Sequence, residues 1–257
     1  MTHVKISAVQ KTTMDAMIKS VEKKRSAPRQ PWDQRLIQGV LANSELLRGC
    51  APAQAAALAA QCWTLEAKRA EPIVTKGGRL PGVFALAYGI VKIALKQGKS
   101  GERVVRLVQA GQTFGEASAL LGHAAPFEAS AVTPCKLVVI PSAAILDLAE
   151  RDPRGARQVI FTLGRRVVEL LGELEASSTQ RGAQRLASYL GSLPESSDGN
   201  GGCAVHLPAP KAVIASRLDM KKETLSRLLR DLSGKGLIAV HGGSITLLDR
   251  ARLGELA

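Results

Sequence analysis

The sequence predicts an α+β chain: an antiparallel β-barrel, then a long helix, then a C-terminal winged helix-turn-helix. Three observations predict it. Between Pro72 and Ile140, short β-branched runs alternate with glycine, proline and polar turns, the signature of short antiparallel strands. After Pro141 the apolar residues recur at spacings of three and four, the period of a helix. From Cys203 onward a short strand, a helix, a tight turn, a second helix and a glycine-centred hairpin follow in order, the layout of a winged helix-turn-helix.

Composition bounds the rest. The 257 residues are 46% hydrophobic, enough to bury a core and too many for a disordered chain. Aromatics are only 3%, so that core must be aliphatic. The formal charge of +13 favours a polyanionic partner, nucleic acid first and an acidic membrane surface second. No run of 18 apolar residues exists, so no transmembrane helix is expected. The N-terminus lacks a signal-peptide apolar block, and a cytoplasmic location is expected. Cys50, Cys62, Cys135 and Cys203 form no C-x-x-C pair, so no metal site is expected. The chain holds no G-x-S-x-G, no G-x-x-x-x-G-K-[ST] and no metal-spaced histidine set. It is therefore not expected to be an enzyme, and no catalytic residue is assigned.

In chain order, residues 1–33 read as a basic, disordered tail. Residues 34–152 read as a barrel domain with flanking helices. Two or three short helices fill 34–70, with Pro52 where a helix would start. The runs "VFALAYG", "IVKIAL", "ERVVRLV", "QTFGEASALL" and "KLVVI" read as strands. Gly98 and Gly101 suit a hairpin loop.

Residues 153–178 read as one long helix. Val159, Leu163, Val167, Leu170 and Leu174 form one apolar stripe, and Ile160, Val168 and Leu171 a second. A helix with two apolar faces needs two partners. One is its own barrel; the other is met by a second copy, making a homodimer across Val159, Leu163, Val167, Leu170 and Leu174.

Residues 179–257 read as the winged helix-turn-helix. Its second helix, "KKETLSRLLRDLSGKG", is polar at the front and apolar behind. In such a motif that helix enters the major groove N-terminus first. Glu223, Ser226 and Arg227 share one outward strip at spacings of three and four. Arginine can bond O6 and N7 of guanine together, and glutamate can accept from the cytosine amine. Lys221, Lys222 and Thr224 are placed for phosphates. Leu225, Leu228, Leu229 and Leu232 point back to the core. Double-stranded DNA is the expected partner.

These residues carry a family resemblance. "ETLSRLLRDLSGKGLIAVHGGSITLLD" resembles the recognition helix and wing of the cyclic-AMP receptor protein/fumarate-nitrate-reduction regulator (CRP/FNR) superfamily. "GIVKIALKQGKSGERVVRLVQAGQTFGEASALLG" is similar to its sensor-barrel signature, and "GRRVVELL" lies where its dimerisation helix lies. The resemblance spans residues 36–257. The E-x-x-S-R core is closest to the FNR side, in particular to regulators of denitrification. It implies a cyclic-nucleotide-binding-like barrel, a dimer, a TTGAT-like two-fold site and RNA polymerase as a further partner. Arg227 would read the guanine, Glu223 the paired cytosine and Ser226 a neighbouring thymine. Family members commonly have glycine at the turn where this chain has Asp219, which tolerates a left-handed backbone better than most residues.

The resemblance also places an effector pocket at Gly115, Glu116, Ser130, Leu170 and Leu171. The family's phosphate arginine appears here as Ala129, and its polar base-binding pair as Leu170 and Leu171. Losing the cation removes the charge partner of a cyclic phosphate, so cyclic AMP is not the expected effector. Residues 1–49 contain no cysteine, so an iron–sulfur cluster of the FNR type is not expected either. The effector is left open: haem sensing nitric oxide, with His3, His123, Cys50 or Cys62 as axial ligand; an apolar effector; oxidation of Cys50 or Cys62; or no ligand. A cyclic-nucleotide-type regulatory module without sequence-specific DNA reading is the alternative to a DNA-reading regulator.

Overall fold

The structure is a computed structural model that describes residues 31–48, 50–98, 101–197 and 203–256. Helices α1 (Pro31–Asn43) and α2 (Pro52–Ala59) open it. Proline stands at the first position of both, where a missing N–H costs nothing. The basic tail read over residues 1–33 is described only from Pro31, inside α1; residues 1–30 lie outside the described residues.

Eight strands make the barrel: β1 (Trp63–Ala67), β2 (Pro72–Val74), β3 (Gly82–Tyr88), β4 (Val91–Gln97), β5 (Gly101–Val108), β6 (Thr113–Phe114), β7 (Glu128–Ala131) and β8 (Cys135–Pro141). They form two antiparallel sheets, in the orders β1-β8-β3-β6 and β2-β7-β4-β5. Side chains alternate along each strand, and β8 uses both faces. Leu137 and Val139 point into the barrel with Phe84, Leu86, Val91 and Phe114. Val138 and Ile140 point outward, under the helices, with Ile37, Leu41, Ile145 and Val159. That is why "KLVVI" is an unbroken apolar run rather than an alternating one. Phe84 and Phe114 stack inside the barrel with centroids 4.9 Å apart. Gly82 brings β3 against β8 so closely that a Cβ there would lie 2.0 Å from the Ile140 carbonyl oxygen.

Three local readings change. Residues 63–67 were expected to continue the alanine-rich helices but form β1, because register with β8 places Trp63 opposite Val139 and Leu65 opposite Leu137. "QTFGEASALL" is not one strand. Only β6 is extended; Gly115 turns at φ +85° and α3 (Glu116–Leu120) follows. Within the loop "PESSDGNGG", β9 (Glu195–Ser197) pairs with β10 (Cys203–His206).

Helix α4 (Ser142–Arg151) leads into α5 (Pro153–Thr179), a helix of 27 residues capped by the Asp152 carboxylate. The C-terminal unit holds α6 (Gly182–Ser192), α7 (Lys211–Arg217), α8 (Lys222–Gly234), β11 (Ile238–His241), β12 (Ser244–Leu247) and α9 (Arg250–Glu255). Its sheet runs β11-β12-β10-β9. Its core of Leu186, Leu190, Ile214, Leu225, Leu229, Ile238 and Ile245 also takes in Val132 from the barrel, so the two units share apolar contact. Among the described residues no helix is long and apolar enough to cross a membrane.

Candidate functional site

Helices α7 and α8 are held together by buried Ile214, Ala215, Leu225 and Leu229. Asp219 makes the turn between them at φ +51°, the left-handed conformation expected of it. Arg185 on α6 clamps that turn, its Nε donating to the Leu218 carbonyl at 3.0 Å. Leu228 is half-buried against the same core. This fixes how α8 projects.

The front of α8 is bare. Lys221, Lys222, Glu223 and Arg227 are exposed, while Thr224 and Ser226 are half-buried. Glu223 and Arg227 stand four apart, yet no ion pair joins them among the described residues. Lysine is a poor N-cap, and no side chain caps this helix. Its first N–H groups are therefore left for solvent or for an anion. The wing β11–β12 turns at Gly242, φ +64°, beside it.

A second constellation ties the barrel to α5. The Glu45 carboxylate accepts from the Thr113 N–H at 3.0 Å and from Arg106 at 3.3 Å, and also pairs with Arg166 of α5. The Glu45 carbonyl accepts from Gln158 Nε2 at 2.6 Å and Thr162 Oγ1 at 3.2 Å. The Thr113 hydroxyl donates to Glu116, which is buried. Burial pushes the Glu116 carboxyl up; hydrogen bonds from Thr113 and its own backbone oppose this, and Glu45 and Glu169 add repulsion. A carboxyl raised in the native state binds its proton more tightly folded than unfolded. Its contribution to stability is therefore lost as pH rises through the raised value. Glu116→Gln should melt higher than the parent at about pH 8, with the gap closing toward about pH 4. Thermal melts across that range check it.

A third set joins the two units. The Ser216 hydroxyl of α7 accepts from Val104 N–H at 3.0 Å and donates to the Glu102 carbonyl at 2.8 Å. Strand β5 is a sheet edge, so this hydroxyl satisfies groups left open there. Arg103 lies 3.7 Å from the Asp219 carboxylate, and Arg217 pairs with Glu173 of α5 at 2.5 Å.

The residues expected to form an effector pocket lie at the start of α3, on β7 and on α5. Glu116 meets Thr113 at the α5 side of the barrel. Ala129 faces the barrel core and Ser130 the other way, lining a small cavity with Lys92, Arg69, Pro210 and Val213. Leu170 and Leu171 are exposed on α5. The dimer stripe also divides. Val159 is buried in the chain's own core, and half-buried Leu163 packs partly against it. The outward face is Ile160, Val167, Leu170, Leu171 and Leu174, each at least half exposed. Ile160, Gly164, Val167, Leu171 and Leu174 follow the alternating four–three spacing of a coiled-coil seam.

Of the candidate haem ligands, His3 lies outside the described residues and His123 is exposed. The buried Cys62 thiol donates to the Leu58 carbonyl at 3.2 Å. Burial, then the Asp152 charge, pushes the Cys50 thiol up, which lowers its reactive thiolate fraction. Among the described residues no three His, Cys, Asp or Glu side chains are grouped to hold a metal.

The arrangement has relatives. Residues 184–256 match the Crp-like helix-turn-helix domain and residues 64–152 the cyclic nucleotide-binding domain. A Silicibacter pomeroyi structure, described as a putative cAMP-binding regulatory protein, is 31% identical; the match covers 86% of this chain and 98% of that one, with a TM-score of 0.56. The chain belongs to the CRP/FNR family. A solved CRP/FNR-family transcriptional regulator from Thermus thermophilus is 25% identical over 76% of this chain and 96% of its own, with a TM-score of 0.60. The transcriptional regulator SdrP of Thermus thermophilus is 28% identical over 203 residues, 76% of this chain and 94% of its own. The protein is thus a CRP/FNR-type transcriptional regulator with a sensor domain and a helix-turn-helix DNA-binding domain. In CRP/FNR terms, the Glu45 hub joins sensor barrel to long helix, and the Ser216, Arg103 and Arg217 contacts join both to the DNA-binding unit. Sequence reading missed these contacts, since their partners lie up to 121 residues apart.

Proposed function

We propose that two copies of this regulator pair along α5 and read a TTGAT-like two-fold site with their α8 helices. Arg227 takes the guanine, Glu223 the cytosine of the opposite strand, and Ser226 a neighbouring thymine. Lys221, Lys222, Thr224 and the uncapped N–H groups hold phosphates. In this reading residues 34–152 sense, 153–178 dimerise and 179–257 bind DNA, with RNA polymerase recruited or blocked from there. The observation that carries it is the front of α8: exposed, unpaired and uncapped, on a helix otherwise packed into the core. An exposed, uncapped helix start leaves its N–H donors free for an outside anion to complete.

The barrel receives a signal other than a cyclic nucleotide. Ala129 supplies no cation, Glu116 is already engaged by Thr113, and stacked Phe84 and Phe114 occupy the interior. A mobility-shift series with a TTGAT palindrome and its scrambled counterpart, at fixed salt, tests the DNA reading. The palindrome should bind at least about a thousandfold more tightly. Equal affinity for the two duplexes contradicts the reading.

A further inference from the structure

A cleft of about 720 Å³ opens between α1, the end of β3, the β5–β6 turn and α5. It lies outside the barrel interior. Arg35, Arg48 and Arg165 line it. All three are exposed, and none makes a hydrogen bond or ion pair among the described residues. Its one lining carboxylate, Glu45, is already held from behind by Arg106 and Arg166. Three unpaired guanidinium groups thus line a cleft whose one carboxylate is already paired, and Arg166 also pairs with Glu169. Behind the cleft, Arg166 Nε is buried without a partner. Like charges brought together this way repel, and a protein with no use for them would spread them over its surface.

We propose that this cleft binds a small multiply charged anion carrying phosphate or carboxylate groups. Guanidinium forks match both groups bidentately. Leu36 and Val40 of α1 give the cleft an apolar wall for the body of such a molecule. Its volume falls within the usual few hundred to about 1,000 Å³ of small-molecule sites. The concave shape, walled by two helices, suits a small molecule rather than a duplex. Arg165 lies on α5 beside Arg166, whose Glu45 partner sits in the same cleft wall. An anion bridging Arg48 and Arg165 would tighten α5 onto the sensor domain. The same helix reaches the DNA-binding unit through Glu173 and Arg217, so occupancy bears on DNA binding.

Titration calorimetry on the full chain tests this, with inorganic pyrophosphate and citrate as probes at matched ionic strength. At least one probe should saturate a single site per chain below about 1 mM. The stronger arm tells phosphate from carboxylate. Arg48→Ala/Arg165→Ala should weaken that binding at least about tenfold, while Lys221→Ala/Lys222→Ala leaves it unchanged. All four changed side chains are exposed, so folding is retained. Saturation by neither probe, or equal binding by parent and arginine double variant, overturns the proposal. So does a double variant that loses operator affinity in the absence of anion, which would make these arginines a DNA contact.

Discussion

Arg227→Ala is expected to erase preference for the guanine-containing half-site while leaving binding to unrelated duplex nearly intact. The side chain is exposed and free of any ion pair among the described residues, so its removal should not disturb the core beneath it. A bidentate arginine–guanine pair contributes about 1–3 kcal/mol of discrimination. It acts once in each half-site, so specific affinity should fall about 30-fold to 10,000-fold or more. The non-specific part, proposed to come from phosphate contacts by Lys221 and Lys222, should keep its salt dependence. Titrations of labelled operator and scrambled duplex across a salt series separate the two. Equal loss on every sequence would show Arg227 to be a phosphate contact instead.

Leu171→Glu should convert the protein to monomers and abolish high-affinity operator binding. Leu171 sits mid-seam on the outward face of α5, between Val167 and Leu174, and is 60% exposed in the single chain. A glutamate there is solvated in a monomer. In a pair it would meet its own copy across an apolar seam, where an unpaired buried charge costs several kcal/mol. Sedimentation reads the mass, and a melt shows whether the fold survives; loss of the dimer with a cooperative melt retained, at a temperature lowered by the lost association, is expected. An unchanged mass would place the interface elsewhere. Leu163 packs partly on the chain's own core, so its replacement would also report on docking between α5 and the barrel.

That contrast marks where sequence reading stops. The long helix and its two apolar stripes were legible from spacing. Which stripe faces inward was not, because 3.6-residue periodicity puts Val159 and Ile160 only about 100° apart, and the barrel's shape decides between them. The helix-turn-helix and its wing were legible, since their turns are local: Asp219 and Gly242 adopt the positive φ their residue types tolerate, whereas β9 and α9 were not read. Strand β1 was not, because its extended state comes from pairing with β8, and tertiary pairing overrides local preference. The front of α8 could be named residue by residue, but its lack of a cap became visible only in three dimensions. In the sensor domain the motif residues Gly115, Glu116 and Ser130 were found by resemblance. Period-two alternation along β7 then turns Ala129 inward and Ser130 outward, which no motif match reveals. The Glu45 hub left no trace in spacing at all.

The central claim is that paired recognition helices read two half-sites set one helical turn apart. The most direct measurement compares operator affinity before and after inserting about five base pairs between the half-sites, which rotates one by half a turn. The account predicts collapse to the affinity of a single half-site. Undiminished binding to the lengthened operator would contradict it.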